Sequence, residues 1–252
     1  MEQDIAQYGQ MNFTLPHDMV VLPSGGIFYK SKKKSVKVGY LTASDENILL
    51  NSGRGNNDSI VLSLLRNKLY ESDVRPEELL TGDIEAILIF LRNTAFGPEY
   101  EITLSDPKTD RRFPVTLMLD ELNIKKTELK PNEDGLFSVN LPKTGHEVKI
   151  RPLSLADTID LEKMANDYPS NRVAPKVTWK LNKQIVSVDG NTDRGFISKF
   201  IESMPIMDSK FIRNFLNDNE PRLDLQKEVT APSGEKVIVD ITFGVEFFRP
   251  FY

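Results

Sequence analysis

The stretch KSKKKSVK, residues 30–37, is where the sequence concentrates charge: Lys30, Lys32, Lys33, Lys34 and Lys37 fall within eight positions. Five ammonium groups at that spacing could hold phosphates or an acidic protein surface, with a marked salt dependence either way. No aromatic residue is interleaved for base stacking, and the chain carries a net charge of −5. The balance argues against nucleic acid, and electrostatic docking onto an acidic subunit is the hypothesis the run supports. The competing reading is a solvated hairpin loop.

Other groups that could do chemistry are sparse. There is no cysteine, which excludes disulfides, thiolate metal sites and thiol nucleophiles. His17 and His146 are far apart, and neither has a metal-ligating residue three or four positions away in a helix; both read as solvated loop residues. SGRGNND, residues 52–58, lacks the Lys-Ser/Thr ending of a P-loop and the third glycine of a dinucleotide fingerprint, and reads as a helix linker. Asp45 with Glu46 and Asp120 with Glu121 are adjacent, so they splay apart rather than face one cleft, and fit helix-start electrostatics. Neither a catalytic constellation nor a cofactor or metal site emerges, and an interaction protein is expected rather than an enzyme.

The elements that must position these residues are legible from periodicity. Apolar runs such as Ile84–Leu91 are too short to cross a bilayer, which takes about 20 residues, so no membrane association is expected. The polar, acidic start MEQDIAQYGQ lacks the pattern of a secretory signal and suggests synthesis in the cytoplasm. The expected class is α+β: antiparallel hairpins with a helical block over about residues 44–95 and further helices before a C-terminal hairpin. The segments are an extended arm over 1–18, a hairpin over 19–43, helices over 44–98, a hairpin region over 99–155, a mainly helical region over 156–221, and a hairpin with an aromatic tail over 222–252. Ser44 is the expected cap of the first helix. Hairpins with turns rich in Pro, Lys, Thr, Ser or Gly recur at 100–118, 135–155 and 222–243. Residues 177–190 fit no period clearly. Phe196, Ile197, Phe200, Ile201, Phe211, Ile212 and Phe215 are expected to pack in the core.

The segment VEFFRPFY poses a burial problem. Phe247, Phe248, Phe251 and Tyr252 could present on the order of 600 to 1000 Å² of aromatic surface, more than a monomer usually leaves exposed. Pro250 ends any ladder, so Phe247 and Phe248 are expected to finish a strand. One of that pair should pack inside. Phe248, Phe251 and Tyr252 are the residues expected to dock on a neighbouring subunit.

Several stretches, VVLPSGGIFYK, LTASDENILLNS, LLTGDIEAILIFLRNTAFGPEYEI, MPIMDSKFIRNFLNDNEPRLDL and VEFFRPF, together resemble the baseplate hub protein family of T-even-type contractile-tailed bacteriophages over most of the chain. The positions that carry the resemblance are Leu22 to Gly25, Gly82 and Asp83, Leu91 and Arg92, Phe96 and Gly97, and Phe247 to Pro250. The resemblance implies a structural subunit of the virion's tail baseplate, in several copies per particle, contacting other baseplate or tail subunits. Some members of that family carry a Cys-x-x-Cys-Gly turn in the last hairpin. This chain has TAPSG over 230–234, so no metal site is carried over. A tail assembly chaperone absent from the finished particle and a cell-envelope hydrolase stay open as alternatives.

Overall fold

A computed structural model of the chain describes residues 16–50, 57–70, 73–125, 127, 129–243 and 245–248. The arm before residue 16, residues 52–56 of the glycine-containing linker, Phe251 and Tyr252 lie outside the described residues.

The chain opens with strand β1 (His17–Val21), which pairs antiparallel with β2 (Ser35–Gly39), and β2 in turn with the short β3 (Leu69–Tyr70). Alternation decides which face is buried: Val20, Val36 and Val38 point into the core while Met19 and Val21 stay exposed. His17 is part of this exposed strand rather than a loop. Helix α1 (Ala43–Leu50) follows, with Ser44 inside it rather than capping it; the first turn is closed by Asp45, which accepts from the Thr42 N–H and Oγ1 at 2.7 and 2.6 Å. Helix α2 (Asn57–Lys68) ends on the buried Lys68, whose ammonium pairs with buried Asp45 and donates to the Tyr40 carbonyl at 3.0 Å. Burial pushes the Asp45 carboxyl up, but Lys68 and Thr42 together outweigh that and hold it below its ordinary value.

Helix α3 (Thr81–Phe96) is the central element, with both flanks buried along most of its length. Hairpin β4 (Glu99–Ser105) with β5 (Arg112–Met118), and hairpin β9 (Gln226–Thr230) with β10 (Lys236–Asp240), put their alternating apolar faces into the same cluster as α3. Their tips are tied by Asp106, which accepts from the Ser233 N–H and Oγ at 3.0 and 2.7 Å and from the Lys108 N–H at 2.9 Å.

A second cluster forms around the sheet β6 (Phe137–Asn140), β7 (Glu147–Ile150) and β8 (Ile185–Val188), covered by α5 (Lys176–Gln184), α6 (Arg194–Ser203) and α7 (Ile206–Asn219). Helix α4 (Leu155–Asn166) lies between, opened by a Ser154–Asp157 capping box. Phe28 packs against both clusters. The segment without a clear period resolves into α5 running directly into β8. Ile197, Ile201 and Ile212 are buried as the helical stripe requires, whereas Phe196 is 44% exposed and lies outside the core. Buried Asp208 on α7 accepts from the backbone N–H groups of Lys143 and Thr144 at 2.7 and 3.1 Å, so a carboxylate from a distant helix closes the β6–β7 turn. The architecture is α+β, with antiparallel hairpins and helices segregated around two hydrophobic clusters.

Candidate functional site

The loop between β1 and β2 carries the lysine run, and its backbone is clamped from below. Asp83, fully buried in the first turn of α3, accepts from the Ser24 N–H at 2.9 Å, from Ser24 Oγ at 2.6 Å and from the Tyr29 hydroxyl. Tyr29 Oη in turn accepts the Leu80 N–H at 3.0 Å, one of the donors left orphaned at the helix start. Burial raises both the Asp83 carboxyl and the Tyr29 hydroxyl above their ordinary values, and the hydrogen bonds from Ser24 and Tyr29 oppose that for Asp83. Gly25 and Gly26 both take positive φ, at 58° and 75°, and a side chain at Gly26 would meet the Lys33 carbonyl oxygen at 2.2 Å. The loop is therefore held in one shape by its own glycines and by α3.

On this platform Lys30, Lys32, Lys33 and Lys34 are exposed and Lys37 is half-buried in β2. They do not act as five equivalent charges. Lys32 donates to the carbonyls of Ile27, at 2.8 Å, and Glu133, stapling the loop to the segment before β6. Lys33 pairs with exposed Asp73 at 2.6 Å. Lys30 lines a cavity of about 260 Å³ with Phe28, Glu78 and Arg151. Two of the charges in that cavity are engaged: Arg151 donates to Asp157 at 2.7 Å and Glu78 accepts from Arg75 at 2.5 Å.

The other end of α3 holds the tail. Arg92 is 2% exposed, and its guanidinium donates to the carbonyls of Gly97 at 2.7 Å, Glu99 at 2.9 Å and Phe247 at 3.2 Å. It also lies 5.1 Å from the Tyr100 ring centre and 5.6 Å from that of Phe247. These contacts hold Val245–Phe248 in a 3₁₀ turn rather than the expected strand end, with the Phe247 carbonyl taken by a side chain of α3 instead of by the backbone of a strand. Phe247 is fully buried and Phe248 is half-buried against it, with ring centres 5.1 Å apart. Leu22 to Gly25, Gly82 with Asp83, Leu91 with Arg92 and Phe247 thus gather around one helix, where sequence order alone gave no hint of their adjacency.

Two charged groupings were not foreseen. His146 Nδ1 lies 2.6 Å from Asp189 Oδ2, whose other oxygen accepts the Glu147 N–H at 2.9 Å. The pair is exposed and fastens the end of β8 to β7, and His146 holds the Asp189 carboxyl below its ordinary value. Glu85 on α3 and Glu220 just after α7 are largely buried, and one oxygen of each has no hydrogen-bond partner. Burial raises each to about 7, and Arg222 opposes it in both. Arg222 stands two residues after Glu220 in the sequence, but nothing in the local pattern brings residues 85 and 220 together or places Lys180 beside Glu220. Among the described residues no group of three or more His, Cys, Asp or Glu could hold a metal, and no helix is long and apolar enough to cross a membrane.

Comparison with curated proteins and with solved structures returns no match. The chain does match the family model described as T4 bacteriophage base plate protein, over residues 26–249, a span from the second glycine of the clamped loop to just past the Phe247–Phe248 turn. With nearly its whole length matched, the chain belongs to the T4 bacteriophage base plate protein family.

Proposed function

We propose that the protein is a non-enzymatic structural subunit of the baseplate hub, made in the host cytoplasm and retained in the virion, where it joins neighbouring baseplate or tail proteins in several copies. The observation that carries this reading is the display of Lys30 and Lys34, with Lys33 beside them paired to exposed Asp73, on a loop whose backbone is fixed by the buried Asp83 clamp. A surface fixed before binding loses little entropy on association. Exposed lysines at its rim steer an acidic partner and set the salt dependence of the encounter. Phe248, half-buried at the edge of the Arg92 closure, extends the contact surface, and Phe251 and Tyr252, which lie outside the described residues, are part of the same proposed docking segment by sequence.

The test is quantitative mass spectrometry of purified virions. A hub subunit is present in a fixed ratio to other baseplate proteins and stays after the particles are washed in high salt. A chain that is absent, or present far below that ratio, acts as an assembly chaperone. Carboxylate-dependent cleavage of peptidoglycan by the purified chain would replace the reading with an envelope hydrolase.

A further inference from the structure

Among the described residues, the ladder that joins β1 to β2 leaves Met19 and Val21 on the outer side of β1 with no strand paired to them. The Leu22 N–H donates to the Lys34 carbonyl at 2.8 Å and the Tyr40 N–H to the Pro16 carbonyl at 2.9 Å. With the register Asp18↔Val38 and Val20↔Val36 between them, the even-numbered residues exchange hydrogen bonds with β2. In an antiparallel pair the intervening residues turn their N–H and C=O groups the other way. Met19 and Val21 therefore present two donors and two acceptors along the outer edge of β1. Among the described residues β1 is the terminal strand of its sheet. The side chains of the same two residues are 60% and 64% exposed, on the face opposite Val20. Natural edge strands are usually blunted by a charge, a proline or a bulge; Pro16 and Asp18 stand at the start of β1, and the stretch Met19 to Val21 carries none of these.

We infer that the outer edge of β1 is a strand-addition site for an extended segment of a neighbouring baseplate subunit, apolar at alternate positions and acidic at the end that abuts the lysine loop. The backbone groups supply the ladder, Met19 and Val21 supply the apolar stripe, and the charge sets the partner's chemistry. Lys33 and Lys34 directly precede β2, and a strand added to β1 would run about 10 Å from β2, at two inter-strand spacings. That is within reach of lysine side chains and close to the screening length at physiological salt. The inference rests on the subunit reading above and names the chemistry of its partner.

Amide hydrogen exchange on the full chain tests it. In the isolated protein the Met19 and Val21 amides are expected to exchange at least tenfold faster than those of Asp18 and Val20. Adding the synthetic peptide Asp-Glu-Thr-Val-Thr-Val-Thr should slow Met19 and Val21 at least tenfold, and Lys-Lys-Thr-Val-Thr-Val-Thr should not. Met19→Pro removes an outward donor without breaking the β1–β2 ladder, so it should abolish the response and the incorporation of the chain into baseplates. If that variant does not fold, Val21→Glu, which leaves the backbone unchanged and sets a charge of the acidic peptide's own sign on the apolar stripe, serves the same purpose. Amides already protected in the free chain overturn the inference, and loss of that protection on deleting residues 1–15 would assign the edge to this chain's own segment. No response to the acidic peptide, equal response to both peptides, or normal incorporation of folded edge variants also overturns it. Virion mass spectrometry judges the subunit reading separately, since the exchange result does not depend on it.

Discussion

Gly82 and Gly195 occupy equivalent positions, each the second residue of its helix, yet replacing them with alanine should shift stability in opposite directions. Helix propensity alone favours alanine by up to about 1 kcal/mol. At Gly195 the added methyl group meets only a side-chain oxygen of Asp193, at 3.3 Å, so the propensity gain is available. At Gly82 it would lie 2.2 Å from the Pro221 carbonyl oxygen and 2.7 Å from the Arg222 Cα. Ordinary contacts need about 3.5 Å, so the start of α3 must move roughly 1 Å away from residues 220–222. Those atoms are backbone and cannot rotate aside. Overpacking costs about 1 to 3 kcal/mol, and a 2.2 Å contact with backbone puts Gly82 at the upper end; less a propensity gain of about 1 kcal/mol, a net loss of about 2 kcal/mol lowers the melting temperature by roughly 4 to 8 °C for a chain of this size. Calorimetry of Gly82→Ala and Gly195→Ala beside the parent is the assay. A Gly82→Ala protein that melts at or above the parent, as Gly195→Ala should, would refute the claim that α3 is seated directly on the chain after α7.

Three further outcomes follow from the same geometry. Glu85 and Glu220 titrate near 7 in the folded chain, above the unfolded carboxylate range, so the folded state binds more protons and stability should fall as pH rises from about 4.5 to 7 and level off above. The effect is on the order of 3 kcal/mol per group, in a setting that also includes Arg222, Lys180 and Asp83; urea midpoints at pH 5 and 8 should converge in the Glu85→Gln/Glu220→Gln variant, and an unchanged difference counts against the burial of the pair. Gly26→Val should destabilise well beyond Gly25→Val, since both carry positive-φ strain of about 1 to 3 kcal/mol but only Gly26 abuts the Lys33 carbonyl; equal melting curves contradict this. Replacing Lys30, Lys33 and Lys34 with serine should leave the melting temperature within a few degrees and slow baseplate incorporation at low salt, and salt-independent kinetics equal to the parent's would remove the steering role.

Most of the α+β architecture was legible because local pattern decides it. The hairpins at 99–118 and 226–240 have strict alternation and turn residues, and α6 and α7 have clear apolar stripes. Residues 177–190 were obscure because α5 passes into β8 without a breaker between them, so two periods overlap in one short window. The 3₁₀ turn at Val245–Phe248 was missed because it is set by Arg92, some 155 positions away, whose guanidinium takes the Phe247 carbonyl. The same reason hides Asp208 at the β6–β7 turn and Lys68 beneath Asp45: a buried charge is recognisable only with its partner, and the partner is distant in sequence. The lysine run was plain as a charge cluster, but its division into Lys32 as a staple, Lys33 as an ion pair and Lys30 and Lys34 as exposed display depends on residues 73 and 133.

The claim that this chain is a retained hub subunit is tested most directly by a cryo-EM map of the mature baseplate. The account predicts density for α3 and its clamped loop at the centre of the baseplate, with the lysine loop facing an acidic neighbour and an added strand along β1. A map that places the chain only at the periphery, or a complete hub with no density for it, would contradict the account.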